Sequence, residues 1–205
     1  MTNPIRGETR SGGRAGGPRS RRPMQAGAIV ALLGAWTVSA LAHIVNVGGD
    51  AILFTPAGVV QDQNQSDTNI TSFDEKQCIT LKDDLETDQG TIPAGTSVSC
   101  HMMQADPANP PQTYQGTAVF DGPILGVISD SGLLDDSDDP CGLKTVDYPL
   151  PAAEPFRGLE AFQPTDQYRR VQGGCGLQVQ FDVPSWQDEV RVITECCEEG
   201  EDCCG

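Results

Sequence analysis

From residue 51 onward the apolar positions come in short bursts that alternate with polar ones. Val179, Phe181 and Val183 are interleaved with Gln178, Gln180 and Asp182, the period of two that marks a half-buried strand. Thr117-Ala118-Val119-Phe120 and Val190-Arg191-Val192-Ile193 follow the same rhythm. Read this way, the chain predicts strands at 51–55, 77–81, 96–103, 113–121, 124–129, 177–183 and 189–194. Between them stand Pro93-Ala94-Gly95, Asn109-Pro110-Pro111, Asp121-Gly122-Pro123 and Gly173-Gly174, where proline presets φ and glycine frees it, as turns require. After residue 45 no segment repeats apolar residues at i, i+3, i+4 and i+7 through three turns, and no repeat of fixed period is visible. The pattern predicts an all-β fold, an antiparallel β-sandwich or jelly-roll-like single domain over residues 43–194. Residues 62–74 read as a polar loop, and 195–205 as an acidic, cysteine-rich tail.

The first 42 residues have a different character. Residues 1–22 hold six arginines against the single acid Glu8, no charge occurs from 23 to 49, and 26–41 is almost wholly apolar or small. Ala40-Leu41-Ala42 then places small residues at the −3 and −1 positions of a signal-peptidase site. Basic, apolar, small-x-small is the order of a secretory signal peptide. Ser20-Arg21-Arg22-Pro23-Met24 also resembles a twin-arginine signal, and an uncleaved 24–45 is long enough to act as a membrane anchor. Cleavage after Ala42 makes His43 the first residue of the mature chain.

That division sharpens the charge. Six of the 13 basic residues and one of the 29 acidic ones precede His43, so the remaining 163 residues carry 7 against 28, a net −21. Such a surface repels phosphate backbones, which excludes nucleic acid as a partner, and leaves contact with membrane only through an uncleaved N-terminal segment. All eight cysteines (Cys78, Cys100, Cys141, Cys175, Cys196, Cys197, Cys203, Cys204) lie in the exported part. An even number behind an export signal predicts disulfides, although eight cysteines allow about 105 pairings.

Several dispersed segments together resemble a known pattern. They are Ile92-Pro93-Ala94-Gly95-Thr96 with Val98, His101, Asp106 and Pro107; Gly116 with Phe120-Asp121, Ile124 and Gly126-Val127-Ile128; Leu134 with Ser137-Asp138; Arg157-Gly158-Leu159-Glu160; and Asp188-Glu189-Val190-Arg191-Val192-Ile193-Thr194. Over about residues 90–194 the chain resembles an uncharacterised bacterial exported-protein family whose members often end in PEP-CTERM sorting tails. The resemblance implies an exported location and no particular activity. Here a cysteine-rich tail stands where the sorting tail would be.

Three clusters carry candidate chemistry. His43 and His101 are the only histidines. An N-terminal His43 would offer its amine and imidazole, and His101 a third nitrogen, a set suited to copper and similar to the histidine brace of lytic polysaccharide monooxygenases. Asp130, Asp135, Asp136, Asp138 and Asp139 fall within ten residues that read as an acidic loop and supply the oxygen ligands calcium prefers, without the EF-hand spacing. Cys196-Cys197 and Cys203-Cys204 flank an acidic turn. Four thiolates there would suit zinc or copper(I), but the oxidising compartment favours bridges. Trp186 is the only tryptophan after residue 42, too little for a sugar-stacking platform, and no nucleophile elbow or phosphate loop is present. The sequence therefore predicts an exported, acidic, disulfide-stabilised β-sandwich with a non-enzymatic binding or structural role at the cell envelope or exterior, towards an unidentified surface or extracellular ligand. A copper-dependent oxidase built on His43 and His101 and a calcium-dependent surface adhesion module are the alternatives.

Overall fold

The computed structural model describes residues 43–55, 66–148, 157–159, 165–184, 187–197 and 203–204, all within one compact unit spanning 37–205. The expected leader, Trp186 and most of the expected tail lie outside the described residues.

Among the described residues, twelve strands and one α-helix follow in order: β1 (Ile44–Gly49), β2 (Ala51–Leu53), β3 (Ile70–Asp74), β4 (Ile79–Thr80), β5 (Leu85–Thr87), β6 (Gly90–Ile92), β7 (Ser97–Ala105), β8 (Gln112–Phe120), β9 (Ile124–Ile128), α1 (Ser131–Cys141), β10 (Gln167–Val171), β11 (Gly176–Val183) and β12 (Asp188–Glu195). One sheet runs β1-β8-β11-β10. A second runs β2-β3-β7-β12-β9 with β4 also on β7, and β5-β6 form a separate hairpin. Pairing is antiparallel except between β2 and β3. The all-β sandwich expected from the alternation is therefore present.

The two sheets bury different faces of their strands. In β11, Leu177, Val179, Phe181 and Val183 are buried and join Tyr114, Ala118 and Phe120 of β8 in the inter-sheet core, while Gln178 and Gln180 stay at the surface. The second sheet is covered on both sides: every residue of β7 after Ser97 and of β12 before Glu195 is buried. Val190 and Val192 face the first sheet. Ile193, Val98 and Cys100 face the other way, packing on Leu134 and Cys141 of α1 and on Leu85 and Ile92 of the hairpin. Three layers result, with the second sheet in the middle.

Several expectations need correction. The aspartate run at 130–139 is a helix, not a loop. It escapes pattern reading because its buried positions are Leu134, Ser137 and Cys141, a stripe of one leucine and two small residues. Its ends are secured by capping: the Asp130 carboxylate accepts from the N–H groups of Gly132 and Leu133, and Lys76 Nζ donates to the carbonyls of Asp139 and Pro140 at the far end. Residues 70–74, expected as loop, form β3, because Ile70 and Phe73 bury apolar faces to either side. Arg191, placed by alternation on a polar face, is fully buried.

All eight cysteines are paired, as Cys78–Cys196, Cys100–Cys141, Cys175–Cys204 and Cys197–Cys203. Only one bridge stays within the C-terminal cysteine cluster. Cys78–Cys196 closes 118 residues, a span for which loop-closure entropy gives about 4–5 kcal/mol, and Cys100–Cys141 fastens the end of α1 to β7.

The layer outside the second sheet is joined to it by ions. Arg191 on β12 meets Glu75 at 2.6 Å and Asp138 at 2.9 Å and donates to the Leu134 carbonyl and Ser137 Oγ. Arg157 meets Glu189 at 2.9 Å, Asp138 at 2.6 Å and Asp135 at 3.0 Å. Both guanidiniums also lie over the Tyr148 ring, at 5.8 and 5.5 Å. Removing one member of a buried pair strands the other, at about 3–5 kcal/mol. Arg191→Met should therefore lower the urea midpoint by that equivalent. Adding Glu75→Gln should recover part of the loss, and strictly additive losses in the double mutant would show that the two side chains are not coupled.

Candidate functional site

Three places bring chemistry-bearing side chains together, and the first lies at one end of the sandwich. Asp74, the last residue of β3, points between the sheets. Its Oδ2 lies 2.9 Å from His43 Nδ1 and its Oδ1 lies 2.7 Å from His101 Nδ1, and Oδ1 also accepts from the Ile44 N–H at 3.0 Å. Both histidines singled out by the sequence thus converge on one carboxylate. Burial pushes the Asp74 carboxyl up, but its hydrogen bonds and charge pairing with His101, and its bonds to His43 and Ile44, hold it below the usual range. On its other side His101 Nε2 meets Thr194 Oγ1 at 3.1 Å, and its ring packs against Phe120 at 4.7 Å.

Threonine, histidine and aspartate in that order have the connectivity of a charge relay. A relay needs a nucleophile that a substrate can touch, and both Thr194 and His101 are fully buried. The chain Thr194–His101–Asp74–His43 fixes the start of β1 to the end of β3 and to β12. Both His101 ring nitrogens are engaged, Nδ1 with Asp74 and Nε2 with Thr194. Among the described residues no group of three or more His, Cys, Asp or Glu side chains is arranged to hold a metal ion.

The second place is the ion lattice beneath α1. The five aspartates considered for calcium are spread around the helix. Asp130 is its N-cap, Asp135 and Asp138 pair with Arg157, and Asp136 and Asp139 project into an external groove. Glu75, Arg157, Glu189 and Arg191 do not stand out as a site in the sequence: Glu189 and Arg191 fall in an alternating strand, where a charge reads as solvent-facing, and Glu75 and Arg157 fall outside the expected strands. The resemblance segments contain Arg157, Glu189 and Arg191, but only as parts of a pattern with no role attached. Gly158 is required by close approach, since a Cβ there would sit 2.0 Å from the Ser129 carbonyl oxygen. Its N–H bonds to Ser131 Oγ at 3.1 Å, which sets Arg157 under the helix.

Glu75 and Glu189 differ in environment. Burial raises the Glu75 carboxyl, but Arg191 and the Tyr148 hydroxyl hold it below its ordinary value. Burial pushes Glu189 up to about 7, against the pull of Arg157 and with repulsion from Asp138 added. Of the two Glu189 oxygens Arg157 bonds Oε2, and Oε1 has no hydrogen-bond partner among the described residues. Arg157 itself stays charged, because Asp138 and Asp135 hold it from the other side.

The third place is a groove of about 660 Å³ between α1 and the segment 76–86, within the size range of small-ligand sites. Ile79, Leu81, Leu85 and Leu133 supply an apolar floor, and Asp83, Asp84, Glu86, Asp136 and Asp139 stand around it. All five carboxylates are on exposed residues. Of the two lysines at its edge, Lys76 is turned to the helix carbonyls, which leaves Lys82 to oppose them. The sequence pattern does not reveal this groove, because its walls come from separate segments and the residues of the helix that forms one wall read as a loop.

No family model, curated protein or solved structure matches this chain.

The raised Glu189 carboxyl has a definite sign. A folded state that holds a proton more tightly than the unfolded chain gains stability that is complete below the ordinary glutamate value of 4.5 and disappears as pH rises through about 7. Glu75 and Asp74 work the opposite way, losing their contribution as pH falls below the ordinary carboxylate range. Glu189→Gln, neutral at every pH, should flatten the decline in melting temperature between about pH 5 and 8. Equal slopes in mutant and wild type would show that Glu189 is ionised throughout.

Proposed function

We propose that the protein is an exported, non-enzymatic binding domain of the cell envelope or exterior, and that it takes a short cationic, amphipathic peptide segment presented by a partner. The groove beside α1 carries this reading. It joins an apolar floor to five exposed carboxylates, so an occupant must bring both apolar side chains and positive charge. A neutral apolar ligand would leave the carboxylates crowding one another, and an anionic one would be repelled by them. The net −21 of residues 43–205 acts in the same direction, attracting basic partners from a distance. Export is supported by the order of charges and small residues in the leader, and by four disulfides, which suit an oxidising compartment. A binding role without chemistry is supported by the closed environment of Thr194 and His101.

The probe is a seven-residue peptide of alternating single lysines and leucine pairs, blocked at both ends. Titrated into the protein, it should perturb the amide resonances of residues 76–86 and 131–139, with an affinity that falls as salt rises. Asp83→Asn combined with Asp136→Asn and Asp139→Asn should weaken binding about tenfold, while its melting temperature stays near that of the wild type. Equal binding of a glutamate-for-lysine version of the peptide, or resonance changes confined to other surfaces, would overturn the proposal.

A further inference from the structure

We infer that the chain is cut between Ala42 and His43, and that the amino group released there becomes part of the fold by pairing with Asp121. This inference goes beyond the binding role and does not depend on it.

Residue 43 is held at each of its polar groups. Its main-chain nitrogen donates to Asp121 Oδ1 at 2.8 Å. Its carbonyl accepts from the Asp121 N–H at 3.2 Å, and its ring meets Asp74 at 2.9 Å. The next residue, Ile44, gives its N–H to Asp74 and pairs with Phe120 in the sheet. Asp121 and Asp74 therefore form two carboxylate seats at the mouth of β1, one for the nitrogen of residue 43 and one for its side chain.

A carboxylate accepts well from a peptide N–H, and a charged donor in the same place adds the attraction between opposite charges. Hydrolysis adds water across the Ala42–His43 bond. The hydroxyl stays with the Ala42 carbonyl carbon, which leaves as a carboxylate, and the His43 nitrogen gains the hydrogen and, at neutral pH, a further proton. The ammonium stands where the amide stood, 2.8 Å from Asp121, and a hydrogen bond charged only on its acceptor becomes charged on both sides, an ion pair as well as a hydrogen bond. The sequence supplies the cut independently, since Ala40 and Ala42 are the small residues a signal peptidase reads. The scissile bond and the seat for its product thus fall on the same residue, although one is specified by the leader and the other by Asp121, 78 positions away.

The test uses the full chain, produced in an exporting bacterial host and recovered after processing. Its first residue should be His43 by N-terminal sequencing and intact mass. Acetylating the α-amino group at mildly acidic pH restores an amide at the same position and removes only the charge. For a half-exposed pair in a chain of this size, that should lower the melting temperature by about 2 °C. The drop should vanish in Asp121→Asn, which keeps a hydrogen-bond acceptor but no charge. If that variant does not accumulate, 1 M salt, which screens the pair, should remove the drop in the wild type. Retention of residues before 43, a start elsewhere, or an acetylation effect unchanged by either Asp121→Asn or salt would overturn the inference.

Discussion

Two guanidinium groups with no exposure to solvent, those of Arg157 and Arg191, set the condition that the rest of the outer layer must meet. A buried cation costs several kcal/mol in lost hydration, and the cost is offset only when its donors meet well-placed acceptors. Here the acceptors come from two layers at once: Glu75 and Glu189 beside the sheet, and Asp135 and Asp138 on α1. Asp138 touches both arginines, so the helix cannot shift along the sheet without breaking several charged bonds together. Gly158, which lets the backbone approach the Ser129 carbonyl, and Cys141, bonded to Cys100 on β7, restrict the same movement by steric and covalent means. The aspartate run is thus a helix in which Asp135 and Asp138 pair with arginines of the same chain, while Asp136 and Asp139 stay exposed.

Once the helix is fixed, the groove follows. Its inner positions face the lattice, and its outer carboxylates, Asp136 and Asp139, stand opposite Asp83, Asp84 and Glu86. The same acidic helix therefore performs two tasks on two sides, internal pairing on one and an exposed negative rim on the other. The free face of the first sheet differs in chemistry: Gln178 and Gln180 of β11 lie beside Thr117 and Gln115 of β8 in the ladder, and Arg169 of β10 donates to Gln178, an amide-rich surface with charges of both signs at Arg169 and Asp182.

How far the sequence revealed this depended on which physical signal each element used. β8 and β11 were legible because one of their faces is apolar and the other meets water. β12 was located correctly, but its outward residues were misassigned. Alternation separates two faces without saying what covers the second, and a covering layer that supplies carboxylates allows arginine to be buried. α1 was missed because its inward stripe is built from Leu134, Ser137 and Cys141, with Asp135 and Asp138 beside them, so hydrophobic periodicity had almost nothing to register. The short β5 and β6 and the exposed β10 carry too few apolar residues to stand out. At the sandwich end the two histidines were noticed for their rarity, and they do share a site. Their common partner, Asp74, was not noticed, because β3 lay in a segment read as loop. Cysteine number predicted complete pairing, whereas the connectivity became readable only with the fold.

Amide hydrogen exchange across the helix tests most directly whether the ion lattice makes α1 part of the core. Exchange reports the free energy of the opening that exposes each N–H. With the lattice holding α1, the amides of its middle turn should exchange with the same opening free energy as the central residues of β7 and β12, and respond to denaturant with the same slope. Protection in α1 several kcal/mol lower than in those strands, with a shallow denaturant dependence, would mean that the helix detaches on its own and that the buried arginines do not bind the layers together.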